Sequence, residues 1–293
     1  MNDTEKKHLI EGLLAAAKKE IRITYRDSGS PLHATASRIG GKPAVPADFE
    51  WCCYEGKLYG EEESKNRPLS FLAQINLKDI AGLDAEGLLP KSGILSFFYE
   101  LETMTWGYDP ADKGSARVFY FPDEAVLSPA EFPDGLEDYA MLPELALSFE
   151  QHISLPEFSS FDDGADHDDD DDYFDDYCDC SAECGYVPDA EGEYIKMFGY
   201  PDVIQNPMEE ECETVTRGYR LGSREDYAKV PEEEKPDIRA AAGEWVLLFQ
   251  MGTIENGDYE LMFGDCGHIY FWIKKSDLAE RRFDRIWLVL QCG

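Results

Sequence analysis

Lysine and arginine are missing from the stretch between Val118 and Ile195, which holds 24 aspartates and glutamates. A segment of that composition repels phosphate, and no basic stripe elsewhere compensates, which argues against nucleic-acid binding. No apolar run of about 18 residues occurs, which excludes a membrane-spanning helix. The opening residues, Met1 to Lys7, lack the long apolar core of a secretory signal, so a cytoplasmic protein is expected. Catalytic signatures are scarce as well. The five histidines are too scattered for a His-Glu-x-x-His helix, and neither a Gly-x-Ser-x-Gly elbow nor a Gly-x-Gly-x-x-Gly loop is found. A triad assembled from distant residues stays open, because such sites are defined by geometry. Eight cysteines in 293 residues are too sparse for a disulfide framework, so reduced thiols are expected.

What is present is a repeated order of β-forming segments. The turn Gly40-Gly41-Lys42-Pro43 precedes Leu69–Leu77, Gly93–Tyr99 and Ala116–Phe121. Farther on, Phe198-Gly199-Tyr200-Pro201 precedes Trp245–Met251, Gly267–Ile273 and Arg285–Gln291. Each series runs from a Gly-x-Pro turn to an apolar strand carrying glutamine (Gln74, Gln250), then a Gly-led aromatic strand, then a closing apolar strand. Recurrence in fixed order implies a duplicated β-rich unit related by a pseudo-twofold. The expected fold is α+β and mainly β, a roll of two similar halves. Its divisions are an N-terminal helix over 1–20, a first half over 21–130, an irregular acidic connection over 131–195 and a second half over 196–293.

Along the chain, Thr4 is expected to cap a helix from Glu5 to Lys19 that buries Leu9, Ile10, Leu13, Leu14 and Ala17 on one face. Lys18 and Lys19 would suit its negative end. The segment Ile21–Tyr25 alternates as a strand. Gly40-Gly41 lacks the Walker spacing and reads as a tight turn rather than a phosphate cradle. Prolines at 129, 133, 143 and 156 make Pro122 to Ser160 irregular.

The chain carries 27 basic and 61 acidic residues, and the window before Ile195 supplies most of the net charge of −34. Asp168 to Asp172 cannot enter a core and should be solvated or disordered. Beyond nucleic-acid binding, which its charge disfavours, three roles are open to the segment: a solubilising insertion, a docking surface for a basic protein anchored by Tyr173, Phe174 and Tyr177, and a metal site. The Asp run lacks the sixth-position glycine and terminal glutamate of an EF-hand loop. Cys178, Cys180 and Cys184 form one incomplete zinc knuckle, for which His167 or Cys212 would have to complete the ligand set. No cofactor other than such a zinc ion is implied.

Candidate binding residues are Gln74 and Gln250, which either satisfy buried backbone or line a shared cleft, together with Trp51 and Asp265. Asp265 stands beside Cys266 and His268 in a turn leading into an apolar strand, where capping the turn is its simpler role.

Together, Ser37-Arg38-Ile39-Gly40-Gly41-x-Pro43-x-x-Pro46, Trp51, Leu69–Leu77, Leu89-Pro90-x-x-Gly93 and Gly264-Asp265-x-Gly267-x-Ile269-Tyr270-Phe271 resemble the YwqG-like family, a bacterial domain of unknown function (the DUF1963 class). The resemblance runs from about Thr24 to Cys292, and the segment Phe161 to Tyr186 departs from it. It implies a roll-like, mainly β fold with no established catalytic site. The family is also similar to the eukaryotic programmed-cell-death-2 group, which includes chaperones of a ribosomal protein, and is associated with toxin immunity in bacteria. The expected role is therefore a non-enzymatic, immunity-like or chaperone-like module for a basic polypeptide. The alternative is a hydrolase or small-molecule-binding protein with its site between the halves.

Overall fold

The computed structural model describes residues 1–58, 60–161, 171–188 and 195–293. The chain opens with α1 (Asp3–Ala16), β1 (Lys18–Asp27), β2 (Arg38–Ile39) and β3 (Ala44–Val45). There follow β4 (Cys53–Gly56), β5 (Lys65–Pro68), β6 (Ser70–Asn76), α2 (Leu77–Ile80), β7 (Ile94–Tyr99) and β8 (Ala116–Phe121). The middle holds β9 (Ser128–Pro129), β10 (Leu145–Ser154), α3 (Asp171–Glu183) and β11 (Lys196–Phe198). The remainder is α4 (Glu209–Thr216), α5 (Arg224–Tyr227), α6 (Lys235–Ala242), β12 (Trp245–Met251), β13 (Ile254–Asn256), β14 (Tyr259–Leu261), β15 (His268–Lys274), α7 (Lys275–Ala279) and β16 (Trp287–Gln291).

One ten-stranded antiparallel sheet dominates, in the order β16-β15-β12-β11-β1-β10-β2-β6-β7-β8. At its centre β1 and β10 pair along ten residues, from Lys18 opposite Ser154 to Asp27 opposite Leu145. Two strands bulge, β6 between Phe71 and Ala73 and β12 between Leu247 and Phe249. An extra residue bends a strand and sharpens its twist. The sheet curls enough that Phe97 of β7 stacks on Phe249 of β12 with centroids 4.5 Å apart, and meets Phe271 of β15 edge-on. Between these faces lies the main core, in which Ile21, Ile39, Leu95, Ile269 and Leu290 are buried. At the seam, Leu290 of β16 donates its amide to Trp106 of the loop before β8. Gly107 is needed there, because a Cβ would lie 1.9 Å from the carbonyl oxygen of Leu288. Among the described residues, no helix is long and apolar enough to cross a membrane.

Three local expectations change. Asn2, not Thr4, caps α1, accepting from the amides of Thr4 and Glu5 while Glu5 reciprocates at the cap. The helix ends at Ala16, and Lys18 and Lys19 open β1 because pairing with β10 captures them. Leu14 consequently faces solvent, 52% exposed. The region between Pro143 and Pro156 is not irregular. Both prolines flank β10, whose interior retains every amide the ladder requires.

Candidate functional site

Gln74 and Gln250 are each fully buried and hold an earlier loop of the chain to the sheet. The Gln74 side-chain oxygen accepts from the amide of Ala44 at 3.0 Å, and its nitrogen donates to the carbonyls of Ala34 and Ala36 at 2.8 Å each. Gln250 accepts from the amide of Asp202 at 3.0 Å and donates to Asp202 Oδ2 at 2.7 Å. Trp51 donates its indole N–H to Leu69 and packs edge-on against Phe98. Asp265 is exposed in the turn before β15, where its carbonyl accepts from the Gly293 amide. Among the described residues no contact joins these four: Gln74, Gln250 and Trp51 direct their polar groups at nearby loops and backbone, and the Asp265 side chain is exposed.

Basic–acidic pairs lie beside both Gly-x-Pro turns. In one, Arg38 Nη1 is 2.6 Å from Glu144 Oε2. In the other, Lys196 Nζ stands 3.3 Å from Glu20 Oε2 and 2.7 Å from Asp202 Oδ2. The second pair borders a pocket of about 180 Å³ that Arg22, Tyr186 and the Tyr177 side of α3 help to enclose. Arg22 bonds Glu20 at 2.9 Å and reaches the carbonyl of Val187 at 2.6 Å. Each of these charges has a partner of opposite sign. His268, at the far side of Asp202, is held below its ordinary pKa by burial.

The acidic insertion forms a helix where it is described. Tyr177, Cys180 and Cys184 of α3 pack against Leu9 and Leu13 of α1 and against Leu155, while the Tyr177 hydroxyl donates to the carbonyl of Pro156. Phe158 meets the rings of both Tyr177 and Phe174. The opposite side, Asp175, Cys178 and Asp179, is exposed, and Phe174 stands at the edge between the two. Of the three aromatic residues expected to dock a partner, Tyr177 is buried, Tyr173 is half-buried and Phe174 is 48% exposed. The run Asp168–Asp170 and His167 lie outside the described residues.

No group of three His, Cys, Asp or Glu side chains among the described residues could hold a metal ion. Burial first, then neighbouring carboxylates, pushes the Cys178, Cys180 and Cys184 thiols above their ordinary pKa. Cys212 sits in a different apolar cluster, on α4 against Trp245 and Trp272. The amphipathic spacing of Tyr173, Tyr177, Cys180 and Cys184, at i, i+4, i+7 and i+11, was the signal for this helix.

The fold is mainly β, one large antiparallel sheet whose strands carry the buried Gln74 and Gln250, with each glutamine tying a loop to that sheet. The sequence pattern of a family described as a domain of unknown function, DUF1963, matches residues 37–292, and the chain belongs to that family. No curated protein matches the sequence closely enough to count as a relative.

Proposed function

We propose that the chain is a cytoplasmic, non-enzymatic module that binds a basic polypeptide, in an immunity-like or chaperone-like role. The observation that carries this reading is the two-sided character of α3. Its inner face is anchored through Tyr177 and the two buried cysteines, and at its edge Phe174 packs on Phe158 while staying 48% exposed, near the exposed Asp175 and Asp179. A fixed apolar anchor ringed by negative charge suits a cationic partner, because the charges speed encounter and the aromatic ring supplies desolvated contact. Eight free cysteines support a reducing compartment.

We also infer that the two halves arose by duplication. Four features support it: equal strand order outward from β1 and β10, one bulge before each glutamine, the left-handed pairs Gly40-Gly41 and Phe198-Gly199, and a basic residue opposite each glutamine in register (Arg38 with Gln74, Lys196 with Gln250). Affinity capture followed by mass spectrometry tests the function. Basic proteins should be recovered at low salt, be reduced at high salt, and be lost from the Phe174→Ala, Asp175→Asn, Asp179→Asn variant. Recovery that ignores both salt and the variant refutes the reading.

A further inference from the structure

Against its overall acidity, the chain gathers six of its 27 cations around one cleft of about 760 Å³. Lys113 and Arg117 come from the edge strand β8 and its approach, Arg217 from the end of α4, Lys274 from β15, and Arg282 and Arg285 from the turn before β16. Three carboxylates share the lining. Glu213 is buried and receives Arg217 Nε at 2.9 Å, Trp245 Nε1 at 2.9 Å and Lys274 Nζ at 2.6 Å, which fixes two cations on the cleft floor. Asp277 pairs with Arg285 at 3.0 Å and Asp284 with Arg282 at 2.9 Å. The side chains of Lys113 and Arg117 have no ion-pair or hydrogen-bond partner among the described residues, and both residues are exposed. The cleft thus carries a surplus of three positive charges within a molecule of net charge −34.

We propose that this cleft binds a small anion carrying adjacent phosphate groups. Its volume is that of a small-molecule site. Donors converge from four separate elements, which suits tetrahedral phosphates that accept on several sides, whereas a planar carboxylate is met by a single guanidinium fork. The ligand must also be short. Screening confines the cleft's field to about 8 Å at physiological salt, so a polynucleotide extending beyond it meets acidic surface and is repelled. Glu213 acts as a positioning residue that keeps Lys274 and Arg217 aimed inward.

Titration calorimetry with pyrophosphate at low ionic strength tests the site. Submillimolar binding is expected, weakened about 5- to 10-fold by Lys113→Ala or Arg117→Ala singly and about 30-fold or more by both. Neither side chain has a partner to lose, so these variants keep the fold, and circular dichroism verifies it. Lys42→Ala, whose side chain pairs with Glu131 away from the cleft, leaves the affinity unchanged. Absence of binding, or binding insensitive to the double variant, overturns the site. Citrate binding as tightly as pyrophosphate overturns the phosphate assignment, and a twelve-nucleotide RNA binding more tightly overturns the small-ligand assignment.

Discussion

Replacing Gln74 by alanine removes a side chain that answers three backbone groups, and their fates differ. The Ala44 amide is fully buried and has no other hydrogen-bond partner among the described residues, so orphaning it costs about 1–3 kcal/mol. The Ala34 carbonyl keeps the Arg38 guanidinium and loses little. The Ala36 carbonyl is half-buried, and losing its bond costs about 0.5–1.5 kcal/mol. The sum, about 1.5–4.5 kcal/mol, is a large part of an ordinary domain's stability of about 5–15 kcal/mol. Gln250→Ala should cost less, about 1–2 kcal/mol, because Lys196 still holds the Asp202 carboxylate at 2.7 Å. Gln74→Glu should be worse than alanine at neutral pH, since a carboxylate would face two carbonyl oxygens. Its folded pKa would be raised, so its deficit against wild type should shrink as the pH falls through that value. Urea denaturation of the three variants at pH 5 and pH 8 supplies the measurement. A Gln74→Ala loss below about 0.5 kcal/mol, or a smaller loss than Gln250→Ala, refutes the assignment of Gln74 to loop anchoring.

Tyr177→Phe removes the hydroxyl bond to Pro156 and should speed amide exchange in peptides covering 173–184 about 5-fold, as expected for about 1 kcal/mol, with little change in global unfolding. Unchanged protection of α3 would mean that the ring alone docks it. Burial pushes the Glu211 carboxyl up to about 7, above its value in the unfolded chain, so the native state binds the extra proton and stability falls as pH rises through that range. Glu211→Gln should therefore gain about 1–2 kcal/mol at pH 8 and nearly nothing at pH 5 in chemical denaturation. Equal gains at both values would contradict a buried carboxylate.

Much of the sheet was legible because its strands announce themselves. The segments Ser70–Asn76, Ile94–Tyr99, Trp245–Met251 and His268–Lys274 are apolar runs bounded by turn residues, and each is buried along almost its whole length. The central strand β10 was hidden. Leu145, Leu147 and Phe149 alternate correctly, but prolines on both sides and half-exposed positions along it masked the pattern. Helix α3 was hidden by charge, since aspartates between Tyr173 and Cys184 outweigh the periodic residues in any composition reading. The cationic cleft left no local trace, because its six side chains come from positions between 113 and 285.

This division has a physical cause. At the two turns the backbone itself sets the sequence: a Cβ on Gly41 would stand 3.0 Å from Glu144 Cβ, and one on Gly199 would stand 2.9 Å from Glu20 Cβ. Both glycines have positive φ, at 64° and 73°, so each is required twice over. The neighbouring glutamine and ion pair are then fixed by the loop that the glycine admits, which is why a short motif could be read twice along the chain. Surfaces obey no such rule. The exposed stripe of α3 and the walls of the cleft need only the right charges in the right places, and many sequences supply those. The repeated motif therefore reports how loops are tied to the sheet, while the surfaces proposed for a partner and an anion carry no such repeat.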